Sequence, residues 1–106
     1  MTRVKTEHFI GAAEITFTQK IHESGWIQLI NVIVPDFTND VTTIVEIKDT
    51  DNYSVYKTDP LTDNETHTKS ELNIPVYHNY SIIVTISAVP GGAGGTVIVA
   101  NYIMCD

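Results

Sequence analysis

The sequence predicts an all-β chain: two antiparallel sheets packed as a β-sandwich, immunoglobulin-like or jelly-roll, with seven or eight strands. Composition is the first ground. Isoleucine and valine together number 25 against three leucines, and threonine adds 14; branched Cβ atoms pack well on pleated surfaces and lose χ1 freedom in helices. The second ground is pattern, because short tracts alternate apolar and polar residues and none repeats with helical spacing. The third is punctuation by Asn, Asp, Gly and Pro at close intervals, the spacing of a sandwich or barrel.

The strands follow in order. "VKTEHFI" near the start reads as an edge strand or an arm within residues 1–12, and "EITFT", 14–18, alternates with Ile15 and Phe17 on one side. "GWIQLINVIV", 25–34, carries apolar residues on both faces: straight alternation sets Trp26, Ile30, Val32 and Val34 on one and Ile27, Leu29 and Ile33 on the other. Such a strand is either covered twice or keeps one face for a partner, although Trp26 reads as core. Pro35 ends it, since proline removes a ladder donor.

Residues 41–57 form the strongest predicted hairpin. Val41, Val45 and Ile47 point inward and Thr42, Glu46 and Lys48 outward, with Ile44 an extra apolar residue outside. "DTDN" lacks the Asn-Gly of a tight turn, so a loop of about three to five residues is expected. "TDPLTDNETHTKS", 58–70, reads as an exposed loop with one aliphatic residue that enters a strand near its end. "SELNIPV" then places Leu72, Ile74 and Val76 on one side, with Pro75 marking an edge. After a turn at "YHNY", "YSIIVTISAV" is another apolar strand. The last, "TVIVANYIM", sets Val97, Val99 and Ile103 against Ile98, Ala100, Tyr102 and Met104.

At 106 residues and 11.8 kDa, residues 1–106 read as a single domain. Its mass implies roughly 5,900 Å² of folded surface. A formal charge of −7 and the lack of a basic run argue against direct nucleic-acid binding and against an anionic membrane surface. Cys105 is the single cysteine, so no intrachain disulfide forms. With neither a signal-peptide core nor a long apolar run, the expectation is a soluble cytoplasmic protein.

Four glycines in five positions, "GGAGG" at 91–95, raise the question of a phosphate loop. The nucleotide-binding loop needs a lysine and a following helix, and here strand formers follow. A turn between 81–89 and 96–104 fits better, either through positive φ or as a wide mobile connection that orders on contact. Three N-x-[ST] sequons, at Asn52, Asn64 and Asn79, read as products of an Asn- and Thr-rich composition.

Catalytic constellations are not visible. His8, His22, His67 and His78 sit in or near turns and polar segments and read as surface residues; no H-E-x-x-H occurs. Cys105 reads as a small terminal side chain. No cofactor is expected. The alternative is calcium held by the loop carboxylates Asp49, Asp51, Asp59 and Asp63, although the EF-hand pattern is absent. Tyr77 and Tyr80, beside one turn, could form a sugar-stacking platform.

The path from "GWIQLINVIVPDFTNDVTTIVEIKDTDNYSVYKT" to "NIPVYHNYSIIVTISAVPGGAGGTVIVANYIM" resembles the small β-sandwich accessory or decoration proteins of tailed bacteriophages. The resemblance implies a capsid or tail surface as partner, frequent homo-oligomers, location in the virion, and no catalysis. The residues independently favour a structural or interaction module. Trp26, Ile44, Ile98, Tyr102 and Met104 are the candidate contact residues, because a chain this small cannot cover both faces of its central strands. A carbohydrate- or calcium-binding sandwich is the alternative, and a small hydrolase ranks last.

Overall fold

The computed structural model describes residues 2–11 and 15–104, and for residues 2–4 the backbone alone. Cys105 and the predicted strand start at Glu14 lie outside the described residues. Among the described residues, ten β-strands follow one another: β1 (Thr2–Ile10), β2 (Thr16–Lys20), β3 (Gly25–Val34), β4 (Thr42–Lys48), β5 (Ser54–Lys57), β6 (Leu61–Thr62), β7 (Glu65–Lys69), β8 (Ile74–Val76), β9 (Ser81–Ile86) and β10 (Gly95–Met104).

They form two antiparallel sheets. Sheet A runs β1-β10-β3-β7 with β8 also on β3; sheet B runs β2-β9-β4-β5 with β6 also on β4. β7 and β8 pair successive parts of β3, as β5 and β6 do of β4, so each pair acts as one interrupted strand. Counted that way, the described residues hold eight strands, within the expected seven or eight, in jelly-roll order. β1 and β2 lie in opposite sheets, which separates the fold from an immunoglobulin domain, where the first two strands share one.

The interruptions are patched locally. Between β5 and β6, the Thr58 hydroxyl accepts a 3.0 Å bond from the Val45 amide, while the Thr58 amide donates to the Val45 carbonyl at 3.0 Å. Between β7 and β8, the Leu72 amide reaches the Gln28 carbonyl at 3.0 Å. Backbone groups that would otherwise be unpaired are thereby satisfied.

The core fills the space between the sheets. Ile27, Ile30, Val32 and Val34 of β3 and Val97, Val99 and Ile103 of β10 face Val45 and Ile47 of β4 and Ile82, Val84 and Ile86 of β9. The folded surface is 5669 Å², close to the size-based expectation.

Several sequence expectations need correction. Trp26 is not core. The register of β3 against β10 slips between Tyr102 and Ile103, which oppose Leu29 and Ile27. Gln28 is the extra residue of this β-bulge, and one extra residue reverses the faces beyond it. Ile27 therefore points inward together with Ile30, Val32 and Val34, and Trp26 points outward, 37% exposed.

Residues 58–70 do enter a strand near their end, with Glu65–Lys69 forming β7 on the edge of sheet A, but the stretch before it is not wholly exposed, since Leu61 is buried in β6. "SELNIPV" shortens to Ile74–Val76. His8 is fully buried, because β1 turns Thr6, His8 and Ile10 inward.

The glycine tract joins β9 of sheet B to β10 of sheet A, so it is a corner between sheets and not a hairpin. Gly91, Gly92 and Gly94 have φ of 71°, 54° and 72°, where side chains are strained. They also approach the chain closely: a Cβ on Gly92 would strike Thr38, and one on Gly94 the carbonyl of Ile10. Thr38 and the backbone of Ile10 and Gly11 thus pack against the corner. Asn39 supports the same corner through bonds of its amide to Pro90 O at 2.9 Å and its side chain to Val89 O at 3.0 Å.

The three sequon asparagines are turn residues. Asn52, Asn64 and Asn79 have φ of 68°, 55° and 77°, a region that asparagine tolerates better than most residues.

Candidate interaction surface

The outward face of sheet A is built by cross-strand register. On β10, residues alternate so that Val97, Val99, Asn101 and Ile103 are buried inward and Ile98, Tyr102 and Met104 face out. Ile98 lies opposite Ile33, Tyr102 opposite Leu29, and Met104 opposite Trp26, which in turn opposes Pro75 of β8. The result is an uncharged, largely apolar band along the central pair of strands, since directly opposed residues share a face, crossed at the Ala100–Asn31 pair by one amide that accepts a 2.9 Å bond from the Thr68 hydroxyl. Ile33 is 40% exposed and Met104 48%.

Of the five candidate contact residues, four come together here: Trp26, Ile98, Tyr102 and Met104. Ile44 does not join them. It lies opposite Thr85 on β9, on the outward side of sheet B, where Thr18, Ile83, Glu46 and Lys57 form the next row. Ile33 also belongs to the band, because the bulge at Gln28 brings it to the same face as Trp26.

Charge is unevenly spread. The register places Glu7 on the outer face of sheet A, opposite Ile98 on the edge strand, and its carboxylate meets Lys5 at 3.3 Å. Between that edge and Thr66 and Thr68 of β7, the described outward positions of β10 and β3 carry no charge. For a chain of charge −7 this is an unusual face.

Four rings gather at one end of the sandwich. Tyr77 and Tyr80 meet edge to face, centroids 5.7 Å apart, and His22 and His78 lie 5.7 Å apart nearby. Tyr77 is exposed and Tyr80 half-buried, and burial together with the Asp49 carboxylate raises the Tyr80 hydroxyl above the usual tyrosine range. Tyr77 shares a groove of about 220 Å³ with Ser24, Gly25 and Trp26. Sequence spacing could not place Trp26 beside Tyr77, because the pairing of β3 with β8 brings them together.

The loop carboxylates occupy separate turns. Asp49 Oδ1 accepts 2.9 Å bonds from the amides of Asp51 and Tyr53, shaping the β4–β5 turn, and Asp51 is exposed. Asp59 and Asp63 stand on either side of β6. Among the described residues, no group of three His, Cys, Asp or Glu side chains is placed to hold a metal ion.

Polar groups also enter the space between the sheets. His8 Nε2 and Thr6 Oγ1 are 2.7 Å apart, and the His8 ring lies against Phe17 of β2. Burial lowers the His8 pKa from 6.5 to about 4. Beside it, a cavity of about 60 Å³ is lined by Thr6, Gln19, Ile82 and Asn101 among others. No described helix is long and apolar enough to cross a membrane.

No protein family and no curated protein sequence matches the chain. Among solved structures, the Yersinia pseudotuberculosis-derived mitogen is similar, with a TM-score of 0.50 at 11% identity over 99% of this chain and 88% of that one. The Drosophila NLP core gives a TM-score of 0.45 at 12% identity, covering 99% of this chain and 100% of its own. PirA gives 0.46 at 10% identity, covering 94% of this chain and 93% of its own. At such identities the likeness to the mitogen is one of fold: an all-β sandwich of two antiparallel sheets.

Proposed function

We propose that this chain is a non-catalytic interaction module that binds further copies of itself through the outward face of sheet A. The observation that supports this reading is the uncharged band of Trp26, Leu29, Ile33, Ile98, Tyr102 and Met104 on a strongly acidic chain. Like-charged copies repel over about a Debye length, so close approach is least opposed where carboxylates are absent. Burying exposed apolar side chains then supplies the attraction.

The finer reading is an accessory protein repeated on a symmetric particle such as a phage capsid or tail. It rests on the sequence resemblance and on the suitability of a self-complementary sheet face for symmetric assembly. Sedimentation velocity at micromolar concentration tests the central claim. A species well above the 11.8 kDa chain mass supports it, and a strict monomer across the concentration range overturns it.

A further inference from the structure

We propose that the groove between Trp26 and Tyr77 binds a single neutral sugar ring, as the end of a glycan chain. This goes beyond self-association: the groove lies at the loop end of the sandwich and shares Trp26 alone with the sheet A band.

The groove is built by two connections that brace each other. Residues 21–24 lead from β2 to β3 and residues 77–80 lead from β8 to β9. They are tied by Ile21 N to Tyr80 O at 2.6 Å, Asn79 N to Ile21 O at 2.8 Å, and His78 N to Ser24 Oγ at 3.2 Å. Tyr80 supports Tyr77 from the side at an interplanar angle of 69°. Gly25 lets β3 lie close against β10 at the groove: a Cβ there would lie 2.5 Å from the Met104 carbonyl oxygen and 2.9 Å from Ile103 Cγ2.

The lining matches the two-sided chemistry of a pyranose. Trp26 and Tyr77, 37% and 59% exposed, offer large apolar ring surfaces for the C–H face of a sugar. Ser24 Oγ and the tyrosine and indole polar tips suit its hydroxyl edge. The four lining residues, Ser24, Gly25, Trp26 and Tyr77, include no carboxylate, ammonium or guanidinium, which favours a neutral ligand. A proline-rich peptide would need a continued series of aromatic-lined grooves, and a quaternary ammonium ion an aromatic cage; a short groove open on one side is better matched to one ring.

The test uses the full chain with methyl glycosides of glucose, galactose, mannose, fucose and N-acetylglucosamine, and with a polyproline peptide and choline as competing probes. Trp26 is the single tryptophan, so its fluorescence reports the groove directly, and saturation-transfer NMR reports the sugar. At least one glycoside is expected to change the emission saturably at millimolar concentration. Tyr77→Ala and Tyr77→Leu should weaken that binding by about tenfold or more, while Tyr53→Ala, at an exposed tyrosine in the β4–β5 turn, leaves it unchanged. No saturable response to any glycoside, binding that survives both Tyr77 variants, or response only to a polyproline peptide or choline overturns the proposal. Sedimentation of the Tyr77 variants separates this result from self-association, since Tyr77 lies outside the β10–β3 band.

Discussion

His8 of β1 meets Phe17 of β2 edge to face between the two sheets, with ring centroids 5.0 Å apart and planes at 87°. The contact links the edge strands of opposite sheets through a titratable ring that has no exposure to solvent. Burial holds its folded-state pKa at about 4, against 6.5 for the unfolded chain. Between these values the unfolded chain binds the proton and the folded one does not. The sign follows: stability is full above about pH 6.5 and declines as pH falls towards 4, by about 3 kcal/mol at the lower end. Urea midpoints measured from pH 7.5 to 4 should show this loss, and His8→Leu should flatten that part of the slope. An unchanged slope in the variant assigns the acid sensitivity to other groups.

Thr58 supplies a second test, of the seam between β5 and β6. Its hydroxyl satisfies the amide of the fully buried Val45. Thr58→Val keeps the shape but leaves that donor unpaired, with an expected loss of about 1–3 kcal/mol in chemical denaturation. Thr58→Ser retains the acceptor and should recover most of the loss.

The glycine corner yields a third. Gly94→Ala combines a φ of 72° with a Cβ driven into the backbone at Ile10 and Gly11. A left-handed non-glycine residue alone costs about 1–2 kcal/mol, and the obstruction by backbone adds to it, so a thermal melt should shift down markedly. Ala93→Gly, at an exposed neighbour, should cost no more than about 1 kcal/mol. Equal effects at the two positions would contradict the close-packed corner.

Much of the sandwich was legible because its interior strands obey simple alternation: β4, β9 and β10 carry their apolar residues where period two puts them. Three features escaped that rule for physical reasons. The bulge at Gln28 changes phase without any sequence mark, which moved Trp26 from the core to the surface. β7, "ETHTK", is held by hydrogen bonding to β3, and a polar edge strand has no apolar face to announce it. His8, in a polar segment, reads as a surface residue, yet the phase of β1 buries it and leaves its neighbour Phe9 53% exposed. The candidate face was partly legible for the same reason as the core: Ile98, Tyr102 and Met104 are in phase on one uninterrupted strand. Its charge-free character needed the pairing of β10 with β3, which one chain pattern does not specify.

The last prediction asks which of the two outward faces makes contact. Ile33 and Ile44 are both isoleucines on central strands, but Ile33 faces out from sheet A within the uncharged band and Ile44 faces out from sheet B among threonines and charged residues. A carboxylate at either position stays partly solvated in the monomer, so neither change should unfold the chain. In a sheet A interface, Ile33→Asp buries an unpaired charge in every contact and adds to the repulsion between acidic copies. Sedimentation should therefore show Ile33→Asp as a monomer at concentrations where the unaltered chain and Ile44→Asp remain associated. The opposite order would transfer the contact to sheet B, and dissociation by neither would remove both sheet centres from the interface.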